Sequence, residues 1–263
     1  MIKKILQCIF VLALVLAVFN YDKVAEKILK CMPSRLNNYL AERYMPEKFW
    51  LHRVNSVDKQ KEFANKYKGL EFDIIYYEQE HAFENSHDKE NLQLYNLEKQ
   101  FQQYERMGKN NELWLDFKNL SDKNKNEALT VLIGLIDKYH IDKNKIFVES
   151  GNWQALSTFK KAGFKTSYYF PYYKFDKMKK EEIEQSKILT EKIANSGNVD
   201  AVSFYGEYYD FINSLDLPPR LALLSWLDGK NWYEVLLLKK YAEIRNDNRV
   251  KVILVRDRGH YSR

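Results

Sequence analysis

The feature that most constrains this 263-residue chain is a regular alternation, from Lys48 onward, of short strand-like apolar runs with amphipathic helical stretches. The strand-like runs cover residues 49–53, 70–76, 113–117, 145–149, 165–170, 201–205, 221–225 and 250–255. Between the third and fourth, residues 122–139 repeat Ala128, Leu129, Leu132, Ile133, Leu135 and Ile136 along one side, as an amphipathic helix does. Residues 181–194 and 232–244 behave alike. Alternating βα units specify a parallel sheet. Eight of them in a chain of this length predict a (β/α)8 barrel, the TIM-barrel architecture of the α/β class. An open doubly wound sheet shares the alternation but usually carries a glycine-rich turn after its first strand, where this chain reads Val54-Asn55-Ser56.

Ahead of the barrel lies a different kind of segment. Lys3 and Lys4 precede a run of about fifteen mostly apolar residues ending near Phe19, the layout of an export signal. No small-x-small cleavage site follows, so the expectation is an uncleaved signal-anchor helix over residues 1–21, or a secreted body if the segment is cleaved. Residues 22–45 read as a helical connector, either a stalk or an extra helix that plugs the barrel bottom, and residues 46–263 as the barrel itself. The expected location is membrane-anchored with the barrel on the exported face.

Barrel enzymes carry their chemistry at the carboxyl ends of the strands. In this chain those ends read His52-Arg53, Glu71-x-Asp73, Asp116-x-Lys118, Glu149-Ser150, Ser225-Trp226 and Arg256-Asp257. Glu71 and Asp73 are two apart on one strand and so point to the same face. Two carboxylates held together repel unless a cation lies between them. With Asp116 they make an all-oxygen set suited to Mg²⁺ or Ca²⁺; ion pairing with Arg53 and Lys118 is the alternative. Phosphodiester cleavage needs one oxygen activated and another protonated, which two imidazoles achieve near neutral pH. The candidates are His52 and His87, with His81 an alternative for the second. Arg53 and Lys118 are placed to neutralise phosphate oxygens.

In order along the chain, these pieces are His-Arg, Glu-x-Asp, His87-Asp88 and an acid-x-Lys. Together they resemble the glycerophosphodiester phosphodiesterase branch of the phospholipase C-like barrels; Asp116-x-Lys118 is closer to the sphingomyelinase D-like branch. The resemblance implies a phosphoric diester hydrolase acting on a glycerophosphodiester or phospholipid-derived head group. It implies His52 and His87 as the acid/base pair and Glu71, Asp73 and Asp116 as ligands of a divalent cation. It further implies Arg53 and Lys118 as phosphate binders and Trp226 as a pocket residue. A lyase forming a cyclic phosphate, and a non-catalytic tethered binding barrel, are the alternatives on the same scaffold.

The sequence departs from the usual His-Arg-Gly of those diesterases, because Val54 follows Arg53. Glu149 is a further pocket candidate, as a metal ligand, a hydroxyl-orienting group or an ion-pair partner. Tyr168, Tyr169, Tyr172 and Tyr173 surround Pro171 after the fifth strand, a packed aromatic loop or a grip for an acyl chain or sugar. A net charge of +6 suits an anionic ligand, but no basic stripe interleaved with aromatics argues for nucleic acid. The two cysteines, Cys8 and Cys31, form neither a disulfide framework nor a thiolate metal motif.

Overall fold

The computed structural model describes residues 21–29, 34–86, 96–108 and 111–257. Among these, nine strands form one sheet: β1 Phe49–Leu51, β2 Gly69–Tyr77, β3 Ala82–Glu84, β4 Glu112–Phe117, β5 Ile146–Ser150, β6 Lys165–Tyr169, β7 Ala201–Tyr205, β8 Ala222–Asn231 and β9 Val250–Arg256. All but β3 pair in parallel around a ring in the order β1-β2-β4-β5-β6-β7-β8-β9. The ring closes through β1, which pairs with β9 at Trp50↔Leu254 and with β2 at Leu51↔Leu70. The expected (β/α)8 barrel is therefore the architecture observed.

The antiparallel strand β3 was not expected. It folds back on the overhanging end of β2, pairing Tyr76 with Phe83. Three residues are too few for an alternating pattern to register against the polar sequence around them.

Strand alternation builds two cores. Trp50, Trp114, Phe147, Leu224 and Leu254 cluster inside the barrel, while Leu51, Leu70, Phe72, Ile74, Leu115 and Val148 face the helices outside. The helix Lys125–Lys138 meets that outer layer through Ala128, Leu132 and Ile136, the stripe its periodicity anticipates. A side chain the size of Leu132 or Ile136, fully buried, contributes about 1.5–3 kcal/mol of transfer free energy. Gly69 is required where the interior is tightest: a Cβ there would lie 2.0 Å from Cδ2 of Trp50.

The interior aromatics form a floor. Two residues further along their strands, on the same inward face, come His52, Asp116, Glu149 and Trp226. The polar cluster thus stands at the mouth, with an apolar plug beneath it that keeps water from entering below.

The first helix of the connector contacts residues 230–240 of the barrel. Residues 21–29 are helical, as is Ser34–Tyr44, and Leu29 and Ala41 are buried. The Asp22 carboxylate accepts the backbone N–H groups of Lys239 (2.8 Å) and Lys240 (3.1 Å), and Lys240 Nζ lies 2.7 Å from Glu26 Oε1. The apolar run with Lys3, Lys4 and Cys8 lies outside the described residues. Among those described, no helix is long and apolar enough to cross a membrane.

Candidate active site

The turn after β1 is built to present two side chains. Arg53 takes a left-handed backbone conformation (φ 55°), uncommon for a residue with a Cβ. Its N–H donates to Glu71 Oε2, and Val54 N–H donates 2.7 Å to the Glu71 carbonyl. From the next helix, Val57–Phe63, Lys59 Nζ donates to the carbonyls of His52 and Arg53, both at 2.9 Å. Ser56 starts that helix, its hydroxyl accepting from Lys59 N–H at 3.2 Å. Held by β2 and by the following helix, the turn keeps a strained geometry that the sequence Arg53-Val54 would not adopt alone.

Glu71, Asp73 and Asp116 converge as the spacing anticipated, with one carboxylate oxygen from each within 4.8 Å of the others. Glu71 and Asp73 are each 1% exposed. Lys118 Nζ lies 2.8 Å from Asp73 Oδ1 and also pairs with Asp116. Asn55 Nδ2 donates to Asp73 Oδ2 at 2.7 Å, while Asp73 N–H donates back to Asn55 Oδ1 at 3.0 Å. His52 is buried, with Nε2 3.8 Å from Glu71 Oε2.

The electrostatics show a cluster short of positive charge. Burial, then the charges of Asp73 and Asp116, push the Glu71 carboxyl well above the usual carboxylate range. Burial and Asp116 do the same to Glu149, whose Oε2 is buried without a hydrogen bond. Burial also pulls Asp73 upward, but the Lys118 ammonium, the Asn55 amide and His52 outweigh it and hold that carboxyl low. Burial presses on Lys118 as well, yet Asp116, Asp73 and Glu71 keep its ammonium firmly protonated. Burial pushes the His52 imidazole down to about 3. One ammonium thus serves several carboxylates, and Glu71 Oε1 is left buried without a hydrogen bond. An all-oxygen, charge-starved set of this kind fits a hard divalent cation.

A cavity of about 250 Å³ at the barrel mouth is lined by His52, Arg53, Glu71, Asp116, Lys118, Glu149 and Trp226 from the sequence candidates, while Asp73 is not part of its lining. His87 lies outside the described residues. His81 is exposed and pairs with Glu127, away from the cavity. Of the tyrosines around Pro171, Tyr169 and Tyr172 line the cavity, whereas Tyr168 is buried and Tyr173 packs on Phe170. Sequence reasoning missed Asn55, Lys59, Tyr205 and Asp228. Only Tyr205 had a legible signal, since it ends a strand whose inward positions are otherwise the small Ala201 and Ser203.

No family model matches the chain, and no curated protein matches its sequence. Among solved structures it is similar to a glycerophosphodiester phosphodiesterase from Parabacteroides distasonis, at 14% identity and a TM-score of 0.51, over 79% of this chain and 92% of that one. It is also similar to an Oleispira antarctica phosphodiesterase solved with its product sn-glycerol-3-phosphate, at 12% identity and a TM-score of 0.50, over 82% and 94%. At such identities the likeness is one of fold.

Proposed function

We propose that this chain is a divalent-cation-dependent phosphodiesterase, cleaving a glycerophosphodiester or phospholipid-derived head group at the mouth of the barrel. The observation that carries the reading is the convergence of Glu71, Asp73 and Asp116, two of which, Glu71 and Asp116, line the same cavity as His52 and Arg53. The phosphodiesterase structures that share the fold, one of them holding sn-glycerol-3-phosphate, support it.

Glu71, Asp73 and Asp116 would hold the cation, Mg²⁺ or Ca²⁺ by their oxygen donors. When bound, it supplies positive charge to the phosphate oxygens and acidifies a coordinated hydroxyl or water. Arg53 and Lys118 bring further positive charge to the same oxygens. His52 and His87 divide the proton transfers: one accepts the proton of the attacking oxygen, the other protonates the departing alcohol. The new bond is oxygen to phosphorus, and the bond broken joins phosphorus to the alcohol oxygen. Residues 1–21 tether the chain, residues 22–45 connect, and the barrel of residues 46–263 works on the exported side of a membrane.

The test is turnover of a panel of phosphodiesters by the full chain in detergent, with and without chelator. Phosphorus NMR of the product then distinguishes the two reactions. A phosphomonoester that forms only with a divalent ion supports hydrolysis, and a cyclic phosphate identifies the lyase instead. Tight binding of the diesters without any turnover would replace both with a binding barrel.

A further inference from the structure

His52 and Arg53 are consecutive in the chain, and both line the cavity. On an extended strand neighbouring side chains point to opposite faces, so one of the two would be lost to the outer wall of the barrel. The left-handed backbone at Arg53 (φ 55°) is what brings its side chain to the same mouth as His52. That conformation is unfavourable for a residue with a Cβ, so the surrounding structure must hold it.

The backbone of the turn is partnered on both sides. Its N–H groups go to neighbouring strands: His52 donates to the Val255 carbonyl at 3.0 Å, Val54 to the Glu71 carbonyl at 2.7 Å, and Arg53 to the Glu71 carboxylate. Its carbonyls go to two helices. Lys59 takes those of His52 and Arg53, and Gln100 Nε2, from the helix Leu97–Arg106, donates to that of Val54 at 2.6 Å. Gln60, next to Lys59, donates at 3.1 Å to the Gln100 carbonyl and joins the two helices behind the turn. Gln60 and Gln100 are both fully buried.

The Lys59 contact is the one that senses the turn. The carbonyls of His52 and Arg53 flank the Arg53 Cα, so their relative direction follows from the φ and ψ of that residue. In an extended strand they point to opposite sides. In a left-handed turn, as in a turn of helix, they swing to the same side. An ammonium 2.9 Å from both is therefore matched to the turned form and not to the extended one. We infer that Lys59 is a positioning residue: by holding both carbonyls it selects the left-handed turn and keeps His52 and Arg53 in one mouth. The inference rests on the phosphodiesterase reading only for what those two side chains then do. Lys59 is not part of the cavity lining, so it acts through the backbone and not on a ligand. Nor is it a solvated helix lysine, since burial, against the attraction of Glu71, brings its ammonium down to about 8.

The experiment follows Arg53 in the full chain through its Cα and Cβ chemical shifts, which report the backbone region, in the parent, Lys59→Met and Lys59→Arg. Expected are left-handed shifts in the parent and in Lys59→Arg, whose guanidinium also spans two acceptors, and strand-like shifts in Lys59→Met. Turnover of a glycerophosphodiester should fall with the turn, on the order of 10²-fold in Lys59→Met, while Lys59→Arg keeps most of it. If Lys59→Met does not fold, Lys59→Gln, whose shorter arm cannot span both carbonyls, is read in the same way. Left-handed shifts in the Met or Gln variant, or strand-like shifts in the parent, overturn the inference and leave the phosphodiesterase reading standing. Strand-like shifts with undiminished turnover also overturn it, because the turn would then not matter to the site. A Lys59-dependent turn in a chain whose parent cleaves no diester supports the positioning of the two side chains and sinks the phosphodiesterase reading.

Discussion

Lys118 Nζ lies 2.8 Å from Asp73 Oδ1, an ammonium from just past β4 docked on a carboxylate from β2. The same ammonium pairs with Asp116, so it occupies the edge of the carboxylate cluster that a divalent cation would share. Lys118 and a metal ion therefore compete for two of the three ligands. Replacing Asp73 with Asn should lower Mg²⁺ or Ca²⁺ affinity by roughly 100-fold while the barrel stays folded, because charge is lost without volume. Lys118→Met should move affinity the other way and lower turnover, since the competitor and a phosphate-facing charge vanish together. Calorimetry on both variants checks this; unchanged affinity in the Asn variant would reject the ligand assignment.

His52 stands on the cavity wall, and His87 is the candidate that completes the proton transfers. Alanine at either position should cost on the order of 10²-fold or more in turnover. A nitrophenyl diester, whose leaving group departs without protonation, should rescue the variant lacking the acid and not the one lacking the base. Kinetics on natural and nitrophenyl esters thus assign the roles. Full activity of both variants would remove the two-histidine scheme.

The connector is packed on the barrel by Leu29, Ala41 and the capping contacts of Asp22. Removing residues 1–20 should release the chain from membranes and leave its melting temperature unchanged. Cutting further, to residue 45, exposes the surface those residues cover and should lower it by several degrees, as a loss of about 1–2 kcal/mol would. Fractionation and thermal melts of the two truncations check both statements. If the full chain fractionates with soluble protein, the tether is wrong.

Far from the site, Asp247 pairs with Arg249 at 2.7 Å and accepts from the Tyr209 hydroxyl at 3.0 Å. The Arg249 hydrogen bonds, against the opposing effect of burial and with help from the Tyr209 hydroxyl, bring its carboxyl down to about 2. Unfolded, the same group ionises near 3.9. Above about pH 5 both states are ionised and the pair's contribution is complete. As pH falls from about 5 toward about 2 the unfolded chain takes up the proton first, so that contribution drains away. Asp247→Asn should lower stability at neutral pH and flatten the stability curve between about pH 5 and 2. Denaturant titrations across that window measure it; a slope identical to the parent would remove Asp247 from the account.

The barrel was legible because it rests on period. Strands such as β4, Glu112–Phe117, alternate a helix-facing residue with an interior one, and the helix Lys125–Lys138 carries its stripe at helical spacing. Local alternation also brought Glu71 and Asp73 to one face, and the strand-end rule added Asp116 and His52. The hairpin strand β3 escaped because its pairing partner, not its own sequence, makes it a strand. Lys59 escaped because a lysine on an amphipathic helix looks solvated; here its ammonium is spent on two carbonyls of the β1 turn.

By itself the sequence determined what is local and periodic: eight strands, the inward or outward sense of each residue, and the carboxylates and imidazole at the strand ends. Tertiary structure decided what depends on residues distant in the chain meeting across the barrel. Closure of β1 on β2 and β9 made the mouth a ring, and the pairing of β2 with β4, Asp73 beside Asp116, placed Lys118 between those two carboxylates. The physical reason is that side-chain direction along a strand follows from backbone stereochemistry, residue by residue. The field and the burial felt by a side chain are sums over neighbours that only the closed sheet brings together.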